Sequence, residues 1–473
     1  MLIDNDFFES DEFKETLSTY ENAVSSGVPS FLDAEELTDI ADYYTFMGKE
    51  RNAALAIESA LEMYPGAAAP LAFMAREALN NNDIAEAKHY ASQITDKSER
   101  EYVFIKAEIL IALDKVEQAD NILKKRFDEG LEDSKEDFIL DASNIFLDYG
   151  VFDKAMQWLE RSTGKHSSEY EELKAHTLIG LCKYDDAISI LNKLIDQAPY
   201  SKRYWVAMAT AQFLGEHFDE AISSCEYALA IDPHDEDGLL MKANSLFKKA
   251  NYAEAMKFYQ RYAECDTADK ELVELNLGTC LVNLERTDEA ISHLQEALRL
   301  STPDSPQLDM VYEELAFAYS AKRCAKEALS YIEQARELAS DRVDMDILYG
   351  HILLENGRQK DAFATFSKVI TEHGDPYVML KIIVSLYENQ YVETAYQMSK
   401  KMFEIGGEKQ DFGYSYMALF CHDLKKDDEF LHYLKIATER NPQEAKHVVG
   451  GLFPESIAPS DYYTYISEKL GRK

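Results

Sequence analysis

The sequence predicts an all-α fold, a solenoid of about twelve helix-turn-helix units, and three recurrences predict it. An alanine returns at Ala53, Ala87, Ala119, Ala155, Ala187, Ala221, Ala255, Ala290, Ala328, Ala362 and Ala395, spaced 32 to 38 residues apart, and Phe430 marks a twelfth unit. Twelve residues before each marker stands a small residue: Ala41, Ala75, Ala107, Ser143, Ala175, Ala209, Ala243, Gly278, Ala316, Gly350 and Ala418, with Ile383 the one departure. Twelve residues after it, Pro65, Pro199, Pro233 and Pro442 recur. A period of this length marks stacked supersecondary units that cannot bury their apolar sides alone.

The stretch from His217 to Pro233, "HFDEAISSCEYALAIDP", illustrates one unit. Phe218, Ala221, Cys225 and Ala228 fall on one face of a helix. Alanine favours helix yet buries little area, so an alanine-lined inward face predicts another helix approaching closely. The neighbour lies upstream in "SKRYWVAMATAQFLGEHF", a helix carrying Trp205, Met208, Ala209 and Phe213 and ending near Gly215. Proline at 233 then ends the second helix, because it lacks an N–H and restricts the residue before it.

Small residue, alanine, alanine and proline at fixed places in a 34-residue hairpin resemble the tetratricopeptide repeat family. The resemblance covers residues 34–444 and is best at 168–270, where Tyr184, Phe218 and Tyr252 open the second helices. It implies a right-handed superhelical solenoid whose first helices line a concave surface that binds peptides or helices. In chaperone-binding members, lysine and asparagine on successive first helices clamp a C-terminal carboxylate. Here Asn244 stands at the asparagine place, but Leu240 occupies the position expected for lysine, so that clamp is not expected. The unit around Ala395 departs most, with Ile383 and Ser399 out of pattern, which predicts a bend or looser packing; "STPDSPQLD" lengthens the junction after Ala290.

Both ends need capping helices. Residues 1–33 supply one, with Phe13, Leu17, Tyr20 and Val24 on one helical face and Gly27 ending it. Residues 445–473 supply the other, with Ser460 as N-cap and Tyr463, Ile466 and Leu470 on one face.

Eighty-seven acidic residues against 49 basic ones give a formal net charge of −38, a field that repels phosphate backbones and anionic membranes. Nucleic acid is therefore not an expected partner, and an RNA-binding helical repeat is the weaker alternative. Residues 1–67 are the most one-sided, with three Lys/Arg against fifteen Asp/Glu. No apolar run reaches membrane-spanning length and the start lacks a signal-peptide pattern, so a cytoplasmic protein is expected. The six cysteines include no CxxC pair and are expected to be reduced and mostly buried.

Chemistry-bearing constellations are sparse. Cys421, His422, Asp423 and His432 lack zinc-ligand spacing, and "DPHDEDG" at 232–238 lacks the glutamate of a calcium loop. His176 and His351 occupy equivalent places, eleven residues before their markers, yet no serine, cysteine or carboxylate recurs with both. No phosphate-binding glycine loop follows a strand. No cofactor, metal or catalytic residue is expected.

The expected function is a non-enzymatic scaffold or adaptor that binds a protein segment in the groove of the solenoid; the alternative is a non-catalytic subunit of an enzyme complex. The acidic field favours basic or amphipathic ligands, and self-association through an end or edge stays open. The candidate groove residues are Val206, Leu240 and Leu275, on a row fifteen residues before the markers that also holds Phe104, Leu140, Ile347 and Leu380, together with Arg203, Asn244 and His176. The competing reading of that row is packing between adjacent first helices.

Overall fold

A computed structural model describes residues 5–8, 10–26, 31–130, 134–163, 167–338, 342–407, 410–454 and 456–469. Among these residues the secondary structure is helix and turn, without a strand. The chain forms two compact units, residues 1–241 and 242–473.

Every marker sits on the second helix of a hairpin and every small residue on the first. In the first unit the hairpins begin with Ala34–Phe46 and Glu50–Met63, continue through Ala68–Asn80 with Ile84–Gln93, Arg100–Ala112 with Val116–Glu129 and Lys135–Asp148 with Phe152–Leu159, and reach Lys202–Leu214 with Phe218–Ile231. In the second unit they run from Lys270–Asn283 with Thr287–Leu300 to Tyr414–Asp423 with Asp427–Arg440.

The small residues are where two backbones meet. Ala209 and Ala221 are fully enclosed, as are Ala175 with Ala187 and Ala316 with Ala328. Glycine serves the same purpose: a Cβ at Gly278 would stand 2.6 Å from Leu294 Cδ2, and one at Gly350 would stand 2.3 Å from Phe366 Cε1. Close approach places large side chains around the contact, and in the first unit Phe138, Phe146 and Trp158 are among the deepest.

The turn inside each hairpin uses one backbone solution. Five residues before the marker, Gly48, Asn82, Asp114, Gly150, Cys182, Glu216, Ala250, Glu285, Arg323, Gly357, Gln390 and Lys425 all have positive φ, between 57° and 74°. The next amide reaches back across the helix end: His217 N–H donates to Gln212 O at 2.8 Å and Asn251 N–H to Leu246 O at 2.9 Å. This is the Schellman arrangement, which satisfies carbonyls a helix end would otherwise leave open. Gly215 itself has φ −80°, so the left-handed residue that ends its helix is Glu216.

Several local expectations need correction. Ile383 and Ser399 are enclosed, at 0% and 1% exposure, and the Ser399 hydroxyl donates to Ala395 O at 2.9 Å, so the expected loosening around Ala395 is absent. In the helix Asp11–Ser26, Phe13 and Tyr20 are buried but Val24 is exposed; Gly27 lies outside the described residues. Ser460 lies inside the short 3-10 turn Pro459–Asp461 and does not cap the helix Tyr462–Lys469. Tyr462 takes the buried place and stacks on Phe453 at 4.0 Å, with Ile466 packed beside it; Leu470 is outside the described residues. Of the cysteines, Cys225, Cys280 and Cys421 are buried, Cys265 and Cys324 are half-buried, and Cys182 is exposed at its turn.

The junction "DPHDEDG" is a turn built on Asp235, whose carboxylate accepts from Gly238 N–H at 2.8 Å and pairs with Lys202. The inserted junction after Leu300 is tied to the helix Lys270–Asn283, with Ser301 and Ser305 hydroxyls donating to Glu271 at 2.9 and 2.8 Å.

Candidate functional site: an acidic cleft on the first helices

In the first unit the first helices of four successive hairpins, Ala34–Phe46, Ala68–Asn80, Arg100–Ala112 and Lys135–Asp148, enclose a cleft of about 560 Å³. Asp42, Glu77, Glu101, Glu108, Asp141 and Asp148 line it, against one guanidinium, that of Arg76. Phe73, Leu79, Phe104, Ile145 and Tyr149 supply apolar wall. Asn144 also lines it, and its Oδ1 has no hydrogen-bond partner.

Repeat geometry explains why these residues converge. Asp42, Arg76, Glu108 and Asn144 each stand eleven residues before a marker, one residue past the enclosed small position. The helix contact at that small residue turns the next side chain toward the open side of the first-helix layer.

Arg76 is the electrostatic pivot: its Nη2 donates to Glu101 Oε2 at 3.2 Å and its Nε to Glu108 Oε1 at 3.0 Å. Burial works against its charge, but the two carboxylates outweigh it and hold the guanidinium still more firmly protonated. Arg100 pairs with Asp141 and lies over the Phe104 ring at 5.4 Å. Burial pushes Asp42 up to about 6, with Arg76 opposing and Asp39 and Glu101 adding repulsion. Asp39, one turn earlier, is pushed up to about 6 by burial and then by Glu35 and other acids. Burial also raises Glu108 and Asp141 despite their arginines, and takes the Tyr149 phenol up to about 12.

The groove residues expected from sequence are distributed differently. In the first unit Arg203 Nη2 lies 3.2 Å from Glu172 Oε2, and burial, then the Arg203 charge, lowers the His176 pKa. Val206 and Leu240 are half-buried. In the second unit Leu275 is a core residue, 1% exposed and packed with Leu294, Val311 and Leu315, so it is not free to line a groove. Asn244 accepts from the Tyr259 hydroxyl at 2.7 Å, which commits its side-chain oxygen internally. Phe104, Leu140 and Ile347 on the same row are likewise buried, which makes that row mainly packing between adjacent first helices.

Sequence reasoning also missed a polar cluster in the second unit. His351 Nδ1 lies 3.1 Å from Ser385 Oγ and 3.2 Å from Asn389 Nδ2, and its Nε2 lies 3.4 Å from Glu355 Oε1. Burial opposes the Glu355 charge, but hydrogen bonds from His351 and Ser320 lower its pKa overall. Serine, histidine and carboxylate thus meet, but Ser385 is only 5% exposed, and the cluster links neighbouring first helices. At the other cluster, Cys421 is buried while His422 and Asp423 are exposed and contact each other at 3.1 Å.

Family models for the tetratricopeptide repeat match residues 173–236 and 266–341. Over those residues the hairpins are tetratricopeptide repeats. A model described as anaphase-promoting complex, cyclosome, subunit 3 matches residues 215–297. Among curated proteins, an ALBINO3-like protein 3, mitochondrial, of Arabidopsis thaliana is 26% identical over 139 residues, 27% of this chain and 25% of that protein. A DnaJ homolog subfamily C member 7 homolog of Schizosaccharomyces pombe is 25% identical over 248 residues, 48% of this chain and 51% of that protein. The chain therefore spans a quarter to a half of the length of these relatives. Among solved structures, yeast Tom70 is similar with a TM-score of 0.45 at 11% identity, over 93% of this chain and 95% of that one. Among the described residues no helix is long and apolar enough to cross a membrane.

Proposed function

We propose that this chain is a non-enzymatic, cytoplasmic interaction scaffold whose acidic cleft holds a basic amphipathic segment of a partner protein. Residues 34–444 form the repeat array in this reading, with 1–33 and 445–473 as its ends. The observation that carries it is the cleft itself, six carboxylates and one guanidinium around apolar wall on four successive first helices. Lysine or arginine side chains would relieve repulsion among the carboxylates, while the apolar face of the same segment would cover Phe73, Leu79 and Ile145. Nucleic acid would meet the same field as repulsion.

The test is titration with a helical Leu/Lys peptide and a matched Leu/Glu peptide. The Lys peptide should bind, with an affinity that weakens as salt rises, and the Glu peptide should not. Replacing Asp42 and Asp148 by lysine should abolish binding while the helical circular dichroism is retained. Equal binding of both peptides, or full affinity in the charge-reversed variant, would remove the cleft from consideration.

A further inference from the structure

We propose that His351 is a proton-operated joint between two successive hairpins of the second unit, in which protonation moves the ring from Asn389 to Glu388. Three first helices, Leu308–Ala321, Arg342–Glu355 and Pro376–Glu388, are linked by side chains at or just past their C-terminal ends. Asn356 Nδ2 donates to Ser320 Oγ at 3.0 Å, and Ser320 Oγ donates to Glu355. One repeat on, Asn389 Nδ2 lies 3.2 Å from His351 Nδ1, with Ser385 Oγ 3.1 Å from the same nitrogen. The two asparagines hold equivalent places, six residues before Ala362 and Ala395, so the second joint repeats the first with an imidazole in place of a hydroxyl. A hydroxyl keeps its donor and its acceptors near neutrality, whereas an imidazole changes its charge and loses its acceptor there.

The hydrogen bonds fix the form that the neutral ring takes. Asn389 Nδ2 also donates to Ser385 O at 2.9 Å, and a carbonyl only accepts. The amide is thereby held with its NH2 group toward His351, so Nδ1 accepts and the ring proton sits on Nε2, 3.4 Å from Glu355 Oε1. A proton added at Nδ1 would point N–H at N–H. Turning the amide over gives no escape, because its oxygen would then face the Ser385 carbonyl. The side chain of His351 is only 14% exposed, which leaves little water to take the place of Asn389, but Glu388 Oε2 lies 3.8 Å from Nδ1. The carboxylates that pair with the ring are thus Glu355, on its own helix, and Glu388, on Pro376–Glu388. Leu308–Ala321 presents the Phe317 ring, with centroids 6.3 Å apart. Ala325–Leu338 directs Arg336 to Asp346 and Tyr349, and Gln359–His373 directs Phe366 to Gly350. Burial opposes the Glu355 charge, but hydrogen bonds from His351 and Ser320 keep that carboxyl low, so it stays ionised while the ring titrates. Acidification therefore exchanges a neutral hydrogen bond for an ion pair, and pH sets which residue at the end of Pro376–Glu388 holds the neighbouring hairpin.

The experiment is nuclear magnetic resonance of the full chain carrying 15N in histidine and asparagine, with His351 and Asn389 each assigned by the signal that its own substitution removes. Above neutrality the His351 ring should show the Nε2–H form. On acidification the Asn389 side-chain amide should shift along the same titration curve as the ring. In His351→Gln, which keeps an acceptor but does not titrate, the Asn389 amide should stay where it is. Two further variants should act in opposite directions: Glu388→Gln, lacking the receiving carboxylate, should delay protonation of the ring to lower pH, and Asn389→Ala, lacking the donor that opposes the proton, should advance it to higher pH. Circular dichroism at both ends of the titration checks that each variant is folded. The tautomer and the amide shift are read on the unaltered chain, so they decide the matter even where Glu388→Gln or Asn389→Ala is unstable. An Nδ1–H form above neutrality, an Asn389 amide indifferent to the titration of the ring, or folded variants that shift the titration in the same direction would each overturn the joint.

Discussion

Two residues in the helix-turn-helix unit around Ala362 separate two roles of glycine. Gly357 is the left-handed residue of the turn, with φ 74° and open space where a Cβ would go. Gly350 is the small residue of the helix contact, where a Cβ would strike Phe366 at 2.3 Å. Gly357→Ala should therefore cost about 1 kcal/mol through the backbone alone, whereas Gly350→Ala should cost about 1–3 kcal/mol by overpacking. Urea unfolding of both variants checks the order, and the sterically free position should be the milder. Ala250→Gly is the converse, since Ala250 already carries φ 57°; it should gain up to about 1 kcal/mol. The contact position was legible in the sequence because close approach admits only small side chains, whether Ala209, Ser143 or Gly278. The turn position was not legible: Asn82, Glu216, Ala250 and Arg323 share a conformation that backbone hydrogen bonding imposes without requiring one residue type. Asp42, Arg76 and Glu108 were half-legible, since they share the register of His176, but only the packed helices reveal that their charges face one another.

At the scale of elements, the hairpins are joined by contacts that no single repeat contains. Asp120, on Val116–Glu129, is 1% exposed; it accepts from Lys124 at 2.6 Å, from Lys154 at 2.7 Å and from Trp158 Nε1 at 3.2 Å, the last two on Phe152–Leu159. Burial opposes its charge, but the two lysines outweigh burial and keep the carboxyl below its ordinary range. Asp120→Ala should cost about 3 kcal/mol, because Trp158 Nε1 and Lys124 lose their acceptor and Lys154 is left with the exposed Glu117 alone. Asp120→Asn should cost less, since an amide retains an acceptor for Trp158. Equal loss in both variants would assign the effect to the charge, which both remove, and not to packing or the Trp158 hydrogen bond. The row of Val206, Leu240 and Leu275 makes the complementary point. Its period was visible in sequence, but period alone does not distinguish a groove from a seam, and the burial of Leu275 does. Leu275→Glu should accordingly unfold its neighbourhood instead of altering peptide capture, as loss of helical signal at lower urea would report.

Across the whole molecule the net charge of −38 makes pH and salt the controls on stability. Burial takes Asp39 and Asp42 up to about 6 in the first unit, and burial with repulsion from Glu313 takes Glu314 up to about 7 in the second. For such groups the folded chain binds more protons than the unfolded chain, from the ordinary carboxylate range up to those values. Stability must therefore fall as pH rises through that window and level off above it. Asp120 and Glu355 have the opposite sign: their depressed pKa values contribute stability that is present above the ordinary carboxylate range and lost below it. The two sets together predict a maximum on the mildly acidic side of neutrality, close enough to the sequence pI of about 4.6 that solubility limits the lower edge. Thermal unfolding followed by circular dichroism should give a higher midpoint at about pH 6 than at about pH 8. Added salt should raise the midpoint more at the higher pH, where the like charges it screens are fully ionised. Glu314→Gln should flatten part of this slope, and Asp39→Asn/Asp42→Asn another part, because each substitution removes a group whose ionisation opposes folding. A midpoint that rises steadily from pH 6 to pH 8 would mean that the ion pairs outweigh these buried anions.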